Sequence, residues 1–284
     1  MLPANSKFII VGLKKASGFS LIELVTVIVI LSVLAVLGGR VIMESTDSYQ
    51  STQIRSRLVN TGRQAIERMS RQLRASLPYS VRITNSGACL QFMPIVGGGN
   101  YLGFLPSSDY VGYVPDSING IGARSSISVS PHLVDPGSAP YVSIGAFSSD
   151  EVYGSNPASL AALGSRTNTA LNLSSPKIWR RNSVNKRFYL LDNPQAFCVV
   201  ANQLRFYSEQ NVANADVDTA SVYSLLAENV TTPTPFSLSG GSESRNTIVF
   251  LNIIFEVSIK RGSEIVYDPE SVAFNHSVMI RNVP

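Results

Sequence analysis

The sequence predicts an α+β fold in which one long N-terminal helix packs on an antiparallel β-sheet that carries a large β-rich insertion. An apolar run from Phe19 to Gly39 is long enough to cross a bilayer as a helix. Helical spacing of apolar residues then continues as far as Pro78. The rest of the chain contains short runs that alternate between apolar and polar residues, as strands do.

The apolar run follows a basic leader and contains a single charge, Glu23. Three lysines and no acid come before it, at Lys7, Lys14 and Lys15. The run is longer than the apolar core of a secretory signal peptide, and no A-x-A cleavage site follows it. An ordinary single-span anchor remains an alternative. We predict a leader over residues 1–18 and the membrane-spanning part of the helix over 19–39.

The helix is expected to continue outside the membrane over residues 40–77 and to stop at Pro78. Apolar residues at three-and-four spacing form one stripe that would face the sheet: Leu58, Gly62, Ala65, Ile66, Met69, Leu73 and Leu77. Arginines occupy much of the remaining surface: Arg55, Arg57, Arg63, Arg68, Arg71 and Arg74. They form either a solvated face or a set of partners for acids on a neighbouring molecule.

Residues 78–284 are predicted to form a globular, β-rich head. Strand-like segments are YSVRIT (79–84), CLQFMPI (89–95), KRFYLL (186–191), AFCVV (196–200), LRFYS (204–208), TIVFLNIIFEVSIK (247–260) and SVAFNHSVMIR (271–281). Turns are expected at 85–87 and 192–194. The segment VYSLLAEN (222–229) is interpreted as a short helix. The run at 247–260 is almost continuously apolar and predicts a central strand.

Residues 94–176 are weakly charged and rich in Gly, Ser, Pro and Asn. They still contain the strand-like pieces YVGYV, SISVS and YVSIGAF, so we predict irregular strands and loops rather than disorder. This stretch would belong to an insertion at about 94–187. Gly97, Gly98 and Gly99 within it are interpreted as a flexible turn and not as a phosphate-binding loop.

Two cysteines, Cys89 and Cys198, lie far apart in the sequence. Because no CxxC motif or Cys/His cluster occurs, zinc and iron–sulfur sites are not expected. In an oxidising compartment the two cysteines would pair as a disulfide. Closing so long a loop stabilises a fold by roughly 4–5 kcal/mol in the chain-entropy account.

No motif for catalysis or for a cofactor is found. The only histidines are His132 and His276, and neither belongs to a spacing that suggests a Ser-His-Asp set. His276 lies on a predicted apolar strand face and is interpreted as structural. Asn214, Asp216 and Asp218 alternate like calcium ligands, but Thr219 stands where an EF-hand loop needs glycine. The chain is therefore not expected to be an enzyme or to hold a metal or cofactor.

Basic residues cluster around an aromatic pair in one segment: Lys177, Trp179, Arg180, Arg181, Lys186 and Arg187, beside Phe188 and Tyr189. Such a patch can bind single-stranded nucleic acid or an acidic glycan. A solvated loop or a contact between subunits explains it as well. Nucleic-acid binding is not the expected function.

The N-terminal stretch KKASGFSLIELVTVIVILSVLAV resembles the class III leader and first helix of type IV prepilins and type II secretion pseudopilins. The resemblance implies that a membrane prepilin peptidase cuts between Gly18 and Phe19 and methylates Phe19. It also implies that Glu23 meets the new N-terminal amine of a neighbouring subunit during assembly. Most major pilins carry a proline where this chain has Arg40, so the kink made by that proline is not expected here.

The C-terminal half, from AFCVV through LLAENV and VFLNIIFEVS to VMIRNVP, resembles a large minor pilin of the mannose-sensitive haemagglutinin (MSHA) pilus. The resemblance implies a single-pass protein of the inner membrane with its head in the periplasm. Its implied partners are other minor and major pilins, the prepilin peptidase and the inner-membrane assembly platform. The implied role is in an assembly-initiating or tip complex. A J-type minor pseudopilin of type II secretion and a tip adhesin using the 94–187 insertion are the alternatives.

Overall fold

The structure is a computed structural model that describes residues 18, 20–109, 122–131, 137–241, 246–258, 260–261, 264–265 and 269–281. The chain forms two compact units, Met1–Thr52 and Gln53–Pro284, which we describe separately. The predicted pieces at 110–114 and His132 lie outside the described residues, as do residues 1–17 and Phe19. The α+β prediction is confirmed.

A single α-helix, α1, runs over Leu21–Arg74, a length of 54 residues. Among the described residues it is the one helix long and apolar enough to cross a membrane, with a mean hydropathy of 2.8 over its most apolar 18 residues. In the first unit the residues of this apolar segment are exposed on every side. A helix that is apolar all round suits lipid better than the surface of a soluble domain.

In the second unit, the helix presents one apolar stripe to a hydrophobic core. The predicted stripe is confirmed, because its members from Leu58 to Leu73 are buried. The helix ends at Arg74, however, and not at Leu77. The backbone N–H groups of Ala75 and Ser76 bond back to the carbonyls of Gln72 and Leu73, and Pro78 begins a 3-10 turn.

Two antiparallel sheets share this first core with the helix. The five-stranded sheet has the order β1 (Arg82–Thr84), β2 (Cys89–Phe92), β9 (Gln195–Val200), β10 (Gln203–Tyr207) and β11 (Ser224–Ala227). The three-stranded sheet has the order β12 (Phe236–Ser239), β13 (Thr247–Val257) and β16 (Glu270–Ile280). The hairpin β14 (Lys260–Arg261) and β15 (Glu264–Ile265) lies between β13 and β16 in the chain. As predicted, β13 is a central strand.

A glycine allows the helix to approach the three-stranded sheet. The rings of Phe255 and Phe274 pack edge to face against each other, with centroids 5.8 Å apart. A Cβ atom on Gly62 would lie 2.3 Å from the Phe274 ring and 2.9 Å from the Phe255 ring. Only glycine therefore fits this point of the helix without a shift of the rings.

The insertion forms a six-stranded sheet with a core of its own. Its order is β3 (Ile95–Asn100), β8 (Arg187–Leu191), β5 (Tyr141–Ser143), β6 (Leu160–Arg166), β7 (Ala170–Lys177) and β4 (Arg124–Ser128), all antiparallel. Three of these pairings, β3–β8, β6–β7 and β4–β7, contain register shifts, which agrees with the predicted irregular strands, although the strands together form one sheet. The sheet also includes the strand predicted at 186–191, so the independent β-region extends to Leu191.

Two local interpretations are corrected. Residues Gly97–Gly99 belong to strand β3 and are not a flexible turn. A Cβ on Gly99 would lie 3.0 Å from the Phe188 ring, and one on Gly98 would lie 2.8 Å from the Phe188 carbonyl oxygen, so these glycines make room for the neighbouring strand. The expected short helix at 222–229 contains strand β11 instead, because pairing with β10 determines its conformation.

A disulfide joins strands β2 and β9. Cys89 and Cys198 are direct partners in the antiparallel ladder, with their Cα atoms 4.1 Å apart. Both cysteines are buried, and Tyr207 and Val217 pack against them. The bond links the strands that precede and follow the insertion, at the end of their ladder away from Phe92 and Gln195, where the chain leaves and re-enters the five-stranded sheet.

Candidate functional site

The N-terminal end of α1 is capped by Ser20. The Ser20 Oγ atom accepts a hydrogen bond from the Glu23 backbone N–H at 3.3 Å, and the Ser20 carbonyl accepts bonds from Glu23 and Leu24. A serine with glutamate three residues later is the capping-box pattern, and an acid in the first turn also complements the helix dipole. Ser20 was not among the predicted site residues, although the S-x-x-E pattern is a recognisable signal for such a cap.

Three polar side chains interrupt the apolar segment from Leu21 to Gly39: Glu23, Thr26 and Ser32. The Thr26 hydroxyl donates to the Glu23 carbonyl at 3.0 Å, and the Ser32 hydroxyl donates to the Val29 carbonyl at 2.8 Å. Both hydroxyls are therefore satisfied inside the helix, as lipid requires. Among the described residues, no hydrogen bond or ion pair uses the Glu23 carboxylate. A charge in this position needs a partner outside the part of the chain described here.

The other residues named for processing and anchoring are only partly described. Gly18 is exposed, and its neighbour Phe19 lies outside the described residues. Arg40 is exposed and follows the apolar segment directly. The helix is continuous through Arg40, which agrees with the absence of the proline found there in most major pilins.

The exposed face of the helix in the second unit carries five arginines: Arg55, Arg57, Arg63, Arg71 and Arg74. None has a hydrogen bond or an ion pair through its side chain among the described residues. Arg68 differs, because its guanidinium lies 5.0 Å from the centroid of the Phe206 ring and is half-buried. The structure of one chain is compatible with either interpretation of this face.

The predicted basic and aromatic patch does not form one exposed surface. Trp179 is only 1% exposed and belongs to the core of the insertion, so it cannot stack on a base or a sugar. The ammonium group of Lys177 donates to the Pro157 carbonyl, and its burial lowers its pKa. Arg180 and Lys186 are exposed, with Lys186 5.0 Å from the Phe104 ring centroid, whereas Arg187 is half-buried.

Arg181 is an internal residue that holds the insertion together. Its two terminal nitrogens donate to the two carboxylate oxygens of Glu151 at 2.6 and 2.7 Å, and one of them also donates to the Gly145 carbonyl at 2.7 Å. The guanidinium lies 4.3 Å from the Phe147 ring centroid. Burial alone would raise the pKa of Glu151, but hydrogen bonds from Arg181, the Phe147 N–H and the Ser159 hydroxyl, together with the charge of Arg181, outweigh it and lower that pKa.

The alternating acids of the 214–218 loop serve the backbone. Asp216 Oδ1 accepts from the Asn85 N–H at 2.9 Å, and Asp218 Oδ1 accepts from the Ala220 N–H at 3.0 Å. In the part of the chain that the structure describes, no group of three or more His, Cys, Asp or Glu residues is placed to hold a metal ion. His276 lies on β16 on the same face as Val278 and Ile280, as predicted, but its side chain is exposed.

Comparison with known proteins identifies the N-terminal segment. Residues 13–38 match a family model described as the prokaryotic N-terminal methylation motif, which is the signal of type IV pilins and pseudopilins. No curated protein and no solved structure matches the chain. The motif supports a type IV pilin or pseudopilin, a structural rather than an enzymatic protein, and the apolar helix is consistent with a single-pass membrane anchor.

Proposed function

We propose that the protein is a minor pilin of an MSHA-type pilus, similar to MshO, that acts in an assembly-initiating or tip complex. The prepilin peptidase would remove residues 1–18 and methylate Phe19. The anchor would remain in the inner membrane with residues 78–284 in the periplasm until assembly. Its partners would be other minor and major pilins and the assembly platform. The C-terminal segments that resemble such minor pilins support this assignment over a major pilin.

One observation carries the proposal. The apolar segment of α1 satisfies its hydroxyl groups internally, yet it keeps one carboxylate, Glu23, that has no partner among the described residues. A carboxylate in the hydrocarbon costs about 2–3 kcal/mol or more. Cleavage after Gly18 would create a positive amine at Phe19, and the amine of one subunit could pair with Glu23 of the next. The pair would fix the axial register of neighbouring helices.

Replacing Glu23 tests this role. We expect Glu23→Ala to be processed and inserted normally, because removing a charge does not make the helix less apolar. Incorporation into pili should nevertheless be lost, since the neighbouring amine would be left unpaired in the bundle. The measurement is the amount of processed chain in sheared pili compared with the amount in the membrane. Thr26→Ala is the matched control, since Thr26 bonds only within its own helix.

Normal incorporation of Glu23→Ala would contradict the pairing. Mass spectrometry of the wild-type protein supplies an independent check, because a functional chain that still begins before Phe19 would exclude the processing step on which the pairing depends. A J-type minor pseudopilin would pass both tests. Deletion of the protein distinguishes the two. If the protein is a pseudopilin, protein secretion should stop in the deletion strain while pili remain.

The insertion favours one second function, that of a tip adhesin. It forms a six-stranded sheet with its own core, so it can present a surface separate from the helix-bearing core. A strain lacking the whole protein distinguishes the functions. Loss of all pili indicates a role in assembly, and normal pili with lost attachment indicate adhesion.

A further inference from the structure

Strand β16 (Glu270–Ile280) lies at the edge of the three-stranded sheet. All eleven of its residues pair with β13 on one side, from Glu270 opposite Val257 to Ile280 opposite Thr247, without a register shift. Among the described residues no strand pairs with its other side. A long edge of this kind presents a row of unused backbone donors and acceptors.

The ladder identifies which backbone groups of β16 face outward. On β13, the N–H groups of Asn252 and Glu256 bond to the carbonyls of Pro235 and Asn229, on the side away from β16. In an antiparallel ladder each residue directs its N–H and C=O to the same side, and successive residues alternate. The odd-numbered residues of β13 therefore bond to β16.

The partners of those odd-numbered residues on β16 are even-numbered, as in the pairs Leu251–His276 and Ile253–Phe274. The remaining residues of β16 must direct their N–H and C=O groups to the free edge: Ser271, Ala273, Asn275, Ser277 and Met279. The side chains of these five residues are all exposed, so nothing on that face covers the edge either.

This edge lacks the features with which proteins usually block edge pairing. Residues 271–280 contain no Lys, Arg, Asp, Glu or Pro, and the ladder has no bulge. The edge strands of the five-stranded sheet, β1 and β11, have only three and four residues, and β12 at the opposite edge of the three-stranded sheet has four. With eleven residues, β16 is the longest edge strand of the three larger sheets, and its uncharged stretch of ten residues, 271–280, suits a bound strand.

The side chains beside the edge indicate what such a strand would carry. On the helix side, Val272 and Phe274 are only half-buried, as is Ile54 of the helix, although all three pack against the first core. An added strand would complete their burial with apolar side chains at every second position. On the other face it would lie beside Ala273 and Ser277, which leave room for most side chains.

We propose that β16 binds an extended, uncharged segment of a different pilus subunit as an additional strand of its sheet. The proposal rests on the proposed function for the existence of such a neighbour. Backbone hydrogen bonds from the outward groups of Ser271 to Met279 would supply the attachment. Apolar side chains of the incoming segment against Val272 and Phe274 would set its register.

A second copy of β16 is the less suitable occupant. Two identical edges pair antiparallel about a twofold axis perpendicular to the sheet. That rotation reverses every direction in the plane of the sheet. It would also reverse the helix from Gln53 to Arg74, which packs on the face of the sheet. Subunits anchored in one membrane have helices that run in the same direction, so they cannot be related in this way.

Residue-resolved hydrogen exchange tests the inference on the full-length protein. One sample is the chain purified in detergent from cells that lack the other pilins. The other is the detergent-solubilised assembly purified through a tag on the chain from piliated cells. The amides of Ser271, Ala273, Asn275, Ser277 and Met279 should exchange rapidly in the first and at least about tenfold more slowly in the second. The intervening even-numbered amides should be protected in both.

Backbone substitution provides the second arm. Asn275→Pro removes an outward N–H without removing a bond to β13, whereas Asn275→Ala keeps that N–H. We expect the proline variant to be depleted from the assembly at least about tenfold, while the alanine variant assembles normally. Ala273→Lys, which places a charge at the edge, should behave like the proline variant. Slow exchange of the even-numbered amides of β16, which bond to β13, reports whether each variant keeps its three-stranded sheet.

Several outcomes would overturn the inference. Unchanged exchange of the outward amides in the assembly would do so, as would normal assembly of Asn275→Pro. Protection of those amides in a homodimer of the isolated chain would assign the edge to a second copy. The proposed function fails separately, if the wild-type chain never enters an assembly or if Glu23→Ala enters it normally.

Discussion

At the scale of single residues, Arg181 illustrates how tertiary context changes the meaning of a sequence cluster. It belongs to a basic segment for which the sequence predicts an exposed patch. Its side chain is nevertheless only 19% exposed, and that of its partner Glu151 is 16% exposed. No local pattern predicts this pairing, because thirty positions separate the two residues in the sequence. Trp179 is buried in the same way, through packing between strands that the sequence does not show to be neighbours.

We predict that Arg181→Ala destabilises the insertion by about 2–4 kcal/mol, because it leaves a largely buried carboxylate without its cationic partner and removes the bond from Arg181 to the Gly145 carbonyl. The matched control is Arg180→Ala, which removes the same charge from an exposed neighbour and should change stability by less than about 0.5 kcal/mol. The measurement is denaturant unfolding followed by fluorescence of Trp179, the only tryptophan, which lies in the insertion core.

The pH dependence of the same unfolding isolates the charge interaction. The pKa of Glu151 is lowered in the folded state, from an ordinary value of 4.5. Its stabilisation is therefore present above that value and is lost as the pH falls through the lower, folded pKa. Wild type and Arg180→Ala should lose this contribution in acid, whereas Arg181→Ala should lack the part that Arg181 supplies at every pH and keep only the bonds from Phe147 and Ser159. If the free energy of unfolding of Arg180→Ala and of Arg181→Ala falls equally in acid, Arg181 does not lower the pKa of Glu151.

At the scale of secondary-structure elements, predictability followed the length and regularity of the pattern. The helix stripe and strand β16 were predictable because each repeats its period over many residues, and β13 was predictable as a long, almost continuous apolar run. The four residues of β11 were not, since a short apolar run fits a helix or a strand and pairing with β10 decides between them. Glycine in β3 was misread as a turn signal because the space it leaves is filled by Phe188, which comes much later in the chain.

The N-terminal end of α1 follows the same principle. Glu23 was identifiable because a lone charge in an apolar run is conspicuous, and Ser20 could have been identified from its spacing. The free edge of β16 was not identifiable from the sequence. Its alternation predicts a strand, but only the order of strands in the sheet shows that one side has no neighbour among the described residues.

Packing of the helix on the three-stranded sheet depends on Gly62. We predict that Gly62→Ala destabilises this packing by up to about 2 kcal/mol. Alanine improves helix propensity by about 1 kcal/mol. The new methyl group would, however, require the rings of Phe255 and Phe274 to move, and such overpacking costs about 1–3 kcal/mol. The steric term is expected to exceed the gain in propensity.

Trypsin cleavage at the arginines of the helix measures the loosening of this contact in the folded full-length protein. Gly62→Ala should be cleaved between Gln53 and Arg74 faster than wild type. Gln64→Ala is the control, because Gln64 is exposed on the opposite side of the same turn and its replacement only raises helix propensity. Slower cleavage of Gly62→Ala than of wild type would show that the rings accommodate the methyl group.

At the scale of the whole molecule, the head combines features that suit an end position in a filament. The second unit contains a helix-bearing core and a separate six-stranded sheet. A subunit that repeats along a thin shaft needs a small head without an additional sheet, because neighbouring copies surround each one. A subunit at the tip or in an initiating complex has fewer neighbours, so an additional sheet can be accommodated. An uncharged free edge on β16 likewise suits one specific neighbour.

We therefore predict that immunogold labelling of the full-length protein marks pilus ends or the cell envelope and leaves the shafts unlabelled. The reason is steric, since repetition along the shaft would place a six-stranded insertion at every subunit position. An antibody to the major subunit, applied to the same grids, should label the shafts and confirm that they are accessible. Even labelling of shafts by both antibodies would require the insertion to pack between successive subunits, and would exclude the tip and the initiating complex as its place.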